Sequence, residues 1–291
     1  MPDFSNITLV SVTGLNDAHG AALALEFSRR QMPGASALFL SPSAPGNLPP
    51  DIRHRAIAPL SFKEYSLFMM FALWRMVETE YVLIVQEDGW LLDASNWTDE
   101  FLEYDYIGAP GHLARVDRPE GIYWKKDFSW YGDLENPDSV VIPVLNGGFS
   151  LRSRRMLRAL VDHPHIRMVV PPPDVSDSEP IAMSWFNDAT HEDVQLTCML
   201  RPELEAVGLR FAPLEVAARF GFEHAALSHI GVNLHAVFGM HGSWRRLASI
   251  DPPVVRYGAT RRHIDEHPLE PPVVKMLEER GYRLEFMPEP A

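Results

Sequence analysis

Residues 81–93 (YVLIVQEDGWLLD) constrain the fold of this chain more than any other segment. Residues 81–85 are uninterrupted apolar residues, a pattern typical of a strand that is buried on both faces in a parallel sheet covered by helices. The polar residues Gln86, Glu87 and Asp88 follow at once, at the end of a strand where open α/β sheets bind ligands. The segment therefore predicts an α/β protein with a functional site at this turn.

Two interpretations of Glu87 and Asp88 are open at this point. In the first, both acids are solvated in a turn or cap the next helix. In the second, they face a metal ion, another cation or a hydrogen-bond donor, because carboxylates among apolar residues are costly to bury unpaired. Their position directly after a buried strand favours the second interpretation, and the rest of the chain has to decide between them.

Composition and charge argue against several classes of protein. Hydrophobic residues make up 46% and charged residues 22% of the 291 residues, as in ordinary globular proteins. The net charge of −13 argues against a nucleic-acid partner, which would need clustered Lys and Arg. The single cysteine, Cys198, excludes an intrachain disulfide and fits a reducing compartment. With neither a secretory signal nor a run of about 18 apolar residues, we expect a cytoplasmic protein without a transmembrane segment; peripheral membrane contact stays open.

Periodicity and turn residues predict the order of the elements. Ser61 and Glu64 form a capping-box pattern before an apolar helix that we expect to be buried in the middle of the domain. Residues 111–140 are predicted to be an irregular loop, either a lid or a packed surface loop, and the Pro-rich residues 162–190 a mobile connection. The other predicted elements are strands at 7–13, 37–40, 81–85, 105–110 and 207–212 and helices at 21–31, 62–77, 154–161, 191–199 and 272–280.

Three further polar segments follow the first in the chain. Residues 146–148 (Asn-Gly-Gly) precede a strand, where glycines permit close approaches that a Cβ would block. Glu192 and Asp193 begin a predicted helix, and favourable interaction of acids with the helix dipole is a sufficient explanation for that pair taken alone. His241 lies between glycines, but it is one of 12 histidines, most of which are expected to be core or surface residues.

Together and in this order, these segments resemble a glycosyltransferase of the GT-A type, and more closely the DUF5672 family. The resemblance covers about residues 5–245. It implies a single GT-A-like domain at residues 1–245, with a mostly parallel central sheet flanked by helices, and a C-terminal extension at residues 246–291 packed on it. The segments that produce the resemblance are residues 86–88 (QED), 146–153 (NGGFSLRS), 192–194 (EDV) and 238–241 (FGMH).

The resemblance implies transfer of a sugar from a nucleotide-diphosphate sugar to a hydroxyl group of a glycan or small acceptor, with polysaccharide biosynthesis as the expected pathway. In such enzymes a divalent ion, Mn²⁺ or Mg²⁺, is held by a D-x-D motif and neutralises the leaving diphosphate. Asp88 would be the metal-bound acid, and His241 the histidine that completes the metal site. Gln86 stands where the first acid of the motif is expected, so the metal requirement and the role of Glu87 stay open.

The resemblance also implies roles for residues around the reacting groups. Asp193 is the expected catalytic base of an inverting reaction, which requires a carboxylate within hydrogen-bond reach of the acceptor hydroxyl. Glu192 is its expected catalytic neighbour and contacts the acceptor. Arg152 is either an ion-pair partner or a phosphate clamp. Donor or acceptor contacts are expected from Tyr65, Gln86, Glu87, Asn146, Gly147, Gly148 and Ser150.

Two other functions stay open. A nucleotidyltransferase of the same fold should carry a Gly-rich basic signature after the first strand, where residues 14–17 are Gly-Leu-Asn-Asp. A binding protein that keeps the fold without the chemistry is supported by Gln86, which supplies no charge. The sequence defines neither the sugar, the nucleotide, the acceptor nor the oligomeric state.

Overall fold

The structure, a computed structural model, describes residues 2–289; residue 1 and residues 290–291, at the outer ends of the two predicted domains, lie outside the described residues. The strands are β1 (Ile7–Val12), β2 (Ser36–Ser41), β3 (Arg53–Ala56), β4 (Tyr81–Val85), β5 (Gly89–Leu91), β6 (Tyr106–Arg118), β7 (Gly121–Lys125), β8 (Val140–Ser153), β9 (Asp174–Val175), β10 (Met183–Ser184), β11 (Gly221–Phe222), β12 (Gly239–His241), β13 (Arg245–Ile250), β14 (Pro253–Thr260) and β15 (Arg283–Met287). The α-helices are α1 (His19–Gln31), α2 (Phe62–Phe71), α3 (Arg154–Asp162), α4 (Glu192–Val194), α5 (Arg201–Ala206), α6 (Leu214–Phe220), α7 (Arg261–Glu266) and α8 (Pro271–Glu279). A π-helical turn, Gln195–Met199, continues α4.

The central sheet is mixed, and the prediction of a mostly parallel sheet is wrong in this respect. Seven strands lie in the order β3-β2-β1-β4-β8-β6-β7. The first four run parallel to one another, whereas β8, β6 and β7 are each joined antiparallel. The coarser prediction, an α/β fold with a sheet flanked by helices, is confirmed.

Residues 106–125 explain the antiparallel half of the sheet. The predicted strand at 105–110 extends through β6 and returns as β7, so the predicted irregular loop at 111–140 is wrong over its first half. Pro110 and Gly111 resemble a turn in the sequence, but the pairing of β6 with β8 shifts register on both sides of Pro110. Proline is tolerated at such bulges, and the strand continues through them.

Strand β4 is buried on both faces, as predicted. It lies between β1 and β8, and its side chains alternate between two hydrophobic clusters. Leu83 and Val85 belong to the larger cluster, beneath α1, whereas Val82 and Ile84 belong to the smaller one, beneath α2 and α3. The turn that follows β4 is therefore held by a rigid element in the middle of the sheet.

Helix α2 begins as predicted but is shorter and less buried than expected. Ser61 and Glu64 form both hydrogen bonds of the capping box. The helix ends at Phe71 and a short 3₁₀ turn follows, and Phe62 is 60% exposed. The expectation of a helix buried in the middle of the domain is therefore wrong, because the apolar side of the first turn faces open cavities.

Two other connections differ in part from the predictions. Residues 207–212 were expected to form an edge strand, but Phe211 makes only an isolated bridge to Tyr106. The Pro-rich residues 162–190, predicted to be a mobile connection, are largely irregular and contain the small hairpin of β9 and β10. Within residues 2–289 no helix combines the length and the apolar character that a membrane span requires.

Residues 246–289 contribute to the same buried core as the central sheet. Strands β13, β14 and β15 form a separate sheet, and α8 matches the helix predicted at 272–280. Val273 and Leu277 of α8 belong to the same buried cluster as Leu9 and Leu83 of the central sheet. Arg245 and Glu270, 0% and 1% exposed, form an ion pair of 2.8 Å inside this region.

Glu270→Ala is expected to destabilise the protein by about 3–5 kcal/mol, because it leaves the charge of Arg245 buried without a partner. Equilibrium urea unfolding measures this change. Glu266→Ala is the matched control, since Glu266 pairs with Arg262 on the surface and exposed pairs contribute about 0–1 kcal/mol. Equal losses of unfolding free energy in the two variants would show that the buried pair does not anchor the extension.

Candidate functional site

The turn between β4 and β5 presents the predicted acids. Gln86 and Gly89 exchange two backbone hydrogen bonds, of 3.1 Å and 3.0 Å, which place Glu87 and Asp88 at the tip of the turn. Strand β5 then pairs antiparallel with β12, and His241 lies opposite Gly89. Strand pairing therefore brings His241 to the turn from a distant part of the chain.

His241 is surrounded by polar side chains on both sides of its ring. Its Nε2 lies 3.3 Å from Oδ1 of Asp88 and 3.3 Å from Oε1 of Gln86. Its Nδ1 lies 3.0 Å from Nδ2 of Asn146 and 3.8 Å from Oε1 of Glu223. The two residues predicted to bind a metal are thus in direct contact with each other.

The charges of Asp88 and His241 stabilise each other. Burial lowers the pKa of His241, but the charge and hydrogen bond of Asp88, together with the charges of Glu223 and Asp193, outweigh burial and raise this pKa to about 9. Burial raises the pKa of Asp88, but the charge and hydrogen bond of His241, a backbone hydrogen bond and the charge of Arg246 together outweigh burial and lower this pKa below its ordinary value. The pair therefore favours an ionised carboxylate beside a protonated ring.

The two adjacent glycines of β8 bring separate parts of the site together. A Cβ on Gly148 would lie 2.3 Å from Nε2 of His241 and 2.4 Å from Oε1 of Gln86. A Cβ on Gly147 would lie 2.4 Å from Oε1 of Glu192. Any other residue at these positions would push the turn, the histidine or the acid pair away from β8.

Glu192 is held by a buried arginine. Its Oε1 accepts a hydrogen bond of 3.0 Å from Nη2 of Arg152, whose side chain is fully buried. Arg152 also donates to Ser150 Oγ at 3.0 Å and to the carbonyl of Gly147 at 3.2 Å. Arg152 is therefore an ion-pair partner rather than a side chain open to a phosphate, and Ser150 supports the loop from below.

Asp193 differs from its neighbour in its partners. Its two carboxylate oxygens accept backbone hydrogen bonds from Gly147 (3.2 Å) and Val194 (2.8 Å). Burial and the charge of Glu192 raise the pKa of Asp193 to about 7. The carboxyl of Asp193 therefore titrates near neutral pH.

Two adjoining cavities contain most of the predicted site residues. The first, of about 360 Å³, is called the central cavity, and the second, of about 370 Å³ at the end of β1, the β1 cavity. They meet at Phe62, Tyr65, Gln86 and Asp88, which line both. The central cavity is also lined by Asn146, Gly147, Gly148, Glu192, Asp193 and His241, and the β1 cavity by Glu87 and Arg246.

Ser150 is the exception among the predicted site residues. It is fully buried and lines neither cavity. Its hydroxyl donates to the carbonyl of Gly147 at 2.8 Å. The expectation of a direct donor or acceptor contact from Ser150 is therefore wrong, because the side chain points beneath the glycine loop.

The sequence did not identify several residues that line the cavities. Glu223 follows the two-residue strand β11, and Asp188 lies in the irregular segment before α4, so neither has a local pattern around it. His191 directly precedes the acid pair, and its ring lies 4.6 Å from that of Phe62. Of these three residues, only His191 had a signal in the sequence, namely its position next to the predicted acid pair.

The residues that meet at the turn fit a divalent cation only with help from substrate. Across residues 2–289, no group of three or more His, Cys, Asp or Glu side chains converges in a metal-binding arrangement. Asp88 and His241 offer one carboxylate and one imidazole. Mg²⁺ commonly binds one or two carboxylates and takes its other ligands from water and substrate phosphates, and imidazole also suits transition metals.

A family comparison covers this site. A profile described as "Protein of unknown function (DUF5672)" matches residues 57–241, more than half of the chain. The chain belongs to the DUF5672 family. The DUF5672 match includes every predicted site residue from Tyr65 to His241 and leaves out β1 and the C-terminal extension. A search of curated proteins finds no match to the chain.

Gly148→Ala is expected to displace His241 and to destabilise the protein by about 1–3 kcal/mol, as overpacking of a filled site does. Thermal unfolding and the NMR signals of the His241 ring measure the two effects. Gly132→Ala is the control, because no described atom lies within 4 Å of the added Cβ, apart from chain neighbours. If both variants keep the stability and the His241 signals of the wild type, the glycine is not required for close packing.

Asp193→Asn is expected to become more stable relative to the wild type as pH rises from about 4 to 7. The folded wild type binds a proton more tightly at this carboxyl than the unfolded chain does, because its pKa is raised to about 7. Wild-type stability is therefore lost over that window, whereas the amide does not titrate. Urea unfolding at several pH values measures the difference, and a constant difference would contradict the raised pKa.

Proposed function

We propose that the protein is a glycosyltransferase that moves a sugar from a nucleotide-diphosphate sugar to a hydroxyl group of an acceptor. One observation supports this proposal most: the carboxylate of Asp193 lines the same cavity as Asp88 and His241. That cavity adjoins a second one at the carboxyl end of β1, the edge at which open α/β sheets bind nucleotides. A base, a charged turn and a nucleotide-sized cavity are therefore neighbours.

The donor is proposed to lie across the boundary between the two cavities. The β1 cavity has apolar walls from Leu15, Leu60 and Phe62, which suit a nucleotide base. The turn of Gln86 and Asp88 lines both cavities and would face the diphosphate. The sugar then enters the central cavity, on the side of Asp193.

The charge of the central cavity disfavours a diphosphate donor that brings no cation. Its walls include five carboxylates (Asp88, Asp188, Glu192, Asp193 and Glu223) and, among the described residues, no Lys or Arg. A divalent cation, when bound, would supply positive charge to the leaving diphosphate. Asp88 and His241 would hold it, with the ring of His241 in its neutral form, because a histidine that binds a metal must give up its proton.

The transfer would be a single displacement with inversion. The acceptor oxygen attacks the anomeric carbon on the face opposite the diphosphate, and Asp193 takes the proton of the hydroxyl. The bond between this carbon and the diphosphate oxygen breaks, and the electron pair leaves with the nucleoside diphosphate. A base with a pKa near 7 combines the required ionised form with adequate basicity at neutral pH.

Glu192 and Tyr65 would position the reactants. The hydrogen bond from Arg152 holds the carboxylate of Glu192 in place, so Glu192 suits contact with a sugar hydroxyl. The hydroxyl of Tyr65 accepts a hydrogen bond of 2.6 Å from the Gln86 amide, and burial raises the pKa of this phenol. Tyr65 therefore keeps its proton and can donate it to a donor oxygen.

Thermal unfolding with UDP-, GDP-, CMP- and dTDP-sugars, with and without Mn²⁺, tests the proposal. A donor at about 100 times its dissociation constant adds about 2.7 kcal/mol of stability. We expect one nucleotide to stabilise the protein in a metal-dependent manner, and Asp88→Ala to lose that effect. Asp138→Ala, at an exposed position, is the control.

Turnover separates the enzyme from the alternatives. Asp193→Asn is expected to keep the donor-induced shift and to lose about 10²–10⁴-fold in rate, the usual contribution of a general base. Release of a nucleoside diphosphate indicates glycosyl transfer, whereas release of pyrophosphate would indicate a nucleotidyltransferase. A donor shift without turnover would favour a binding protein, and a shift that needs no metal would remove the proposed metal roles.

A further inference from the structure

A third cavity, of about 600 Å³, adjoins the central cavity and is called the lateral cavity. His112, Glu223 and Ser243 line both of these cavities. Among the described residues, no side chain lines both the lateral cavity and the β1 cavity. The three cavities therefore form a row with the central cavity in the middle, and the lateral cavity lies on the side away from the donor.

The walls of the lateral cavity combine aromatic rings with polar groups. The rings of Trp244 and His267 lie 4.7 Å apart, nearly edge to face, and the ring of His224 lies 6.1 Å from that of His267. Phe128 forms another part of the wall. Sites for small polar ligands have this character, with apolar and aromatic walls and a few precisely placed polar groups. A sugar ring suits such a site, because its C–H groups can contact the aromatic walls and its hydroxyls can bind the polar groups.

The backbone at the rim of the lateral cavity has an uncommon conformation. Asp127 and Phe128 are consecutive residues with φ of 54° and 58°, a region that residues with a Cβ seldom adopt. The backbone N–H of Phe128 donates a hydrogen bond of 3.0 Å to the carbonyl of His112. The surrounding structure thus imposes the conformation that places Phe128 in the wall, as is common at binding sites.

The charge of the lateral cavity limits its ligand. Asp127 and Glu223 contribute carboxylates to its lining. No Lys or Arg among residues 2–289 lines this cavity. A uronate or a phosphorylated sugar would meet carboxylates without a cation, and such like-charge contacts oppose binding. Neutral and amino-bearing sugars avoid this repulsion.

We propose that the lateral cavity binds the second and following sugar units of the acceptor, and that the acceptor is a glycan of at least two units without acidic groups. This inference rests on the proposed glycosyl transfer in the central cavity, because the first acceptor unit must present its hydroxyl to Asp193 there. The shared residues His112, Glu223 and Ser243 then lie where the glycan passes from one cavity to the other.

The test is a glycan array that carries neutral, amino-bearing and acidic glycans of one to four units. The full chain is labelled and applied with the nucleoside diphosphate that stabilises it best. Three variants are compared with the wild type. Trp244→Leu removes the ring but keeps apolar volume, Trp244→Phe restores a ring, and Trp74→Leu changes a tryptophan that packs against Arg158 away from the three cavities.

We expect binding to neutral or amino-bearing glycans of two or more units, weakened about tenfold in Trp244→Leu, since a lost ring contact is of that order. Trp244→Phe and Trp74→Leu should bind as the wild type does, and all variants should keep the donor-induced thermal shift. Preference for acidic or single-unit glycans, unchanged binding by Trp244→Leu, or binding to no glycan while the donor shift persists would overturn the inference. Absence of the donor shift in the wild type would instead contradict the proposed function itself.

Discussion

The antiparallel pairing of β5 with β12 is the interaction on which the site depends. It sets His241 opposite Gly89 and so beside Asp88. From the other side, Arg245 donates to the carbonyls of His241 (2.9 Å) and Glu223 (2.6 Å) and is neutralised by Glu270. The short strand β12 is thus held by Arg245 and Glu270, which both lie outside the DUF5672 match.

A second buried arginine divides the roles of the two acids in α4. Arg152 donates to Glu192, whereas the carboxylate of Asp193 accepts only from backbone N–H groups among the hydrogen bonds of the described residues. Burial and the charge of Glu192 raise the pKa of Asp193. A local acid pair that the helix dipole alone could explain becomes, in the fold, one carboxylate held by an arginine and one carboxyl with a raised pKa.

Local patterns predicted the elements whose signals are complete within a few residues. The apolar run of β4 and the capping box of Ser61 are of this kind, and the adjacent glycines do make the close approaches expected of them. The length of β6 was not predictable, because Pro110 and Gly111 are turn signals that the fold absorbs as bulges. Glu223 was missed because its place in the cavity comes from tertiary contacts alone.

The acidity of the chain acts differently on the two proposed substrates. Along the row of cavities, the described lining contains one basic side chain other than histidine, Arg246 in the β1 cavity, and it is paired with Glu87 at 2.7 Å. A diphosphate donor must therefore compete for Arg246 or bring a cation. The lateral cavity would offer an acidic acceptor neither an arginine nor a cation brought by the donor. Under the proposed mechanism, the same negative charge makes the donor dependent on a cation and restricts the acceptor to uncharged or amino-bearing sugars.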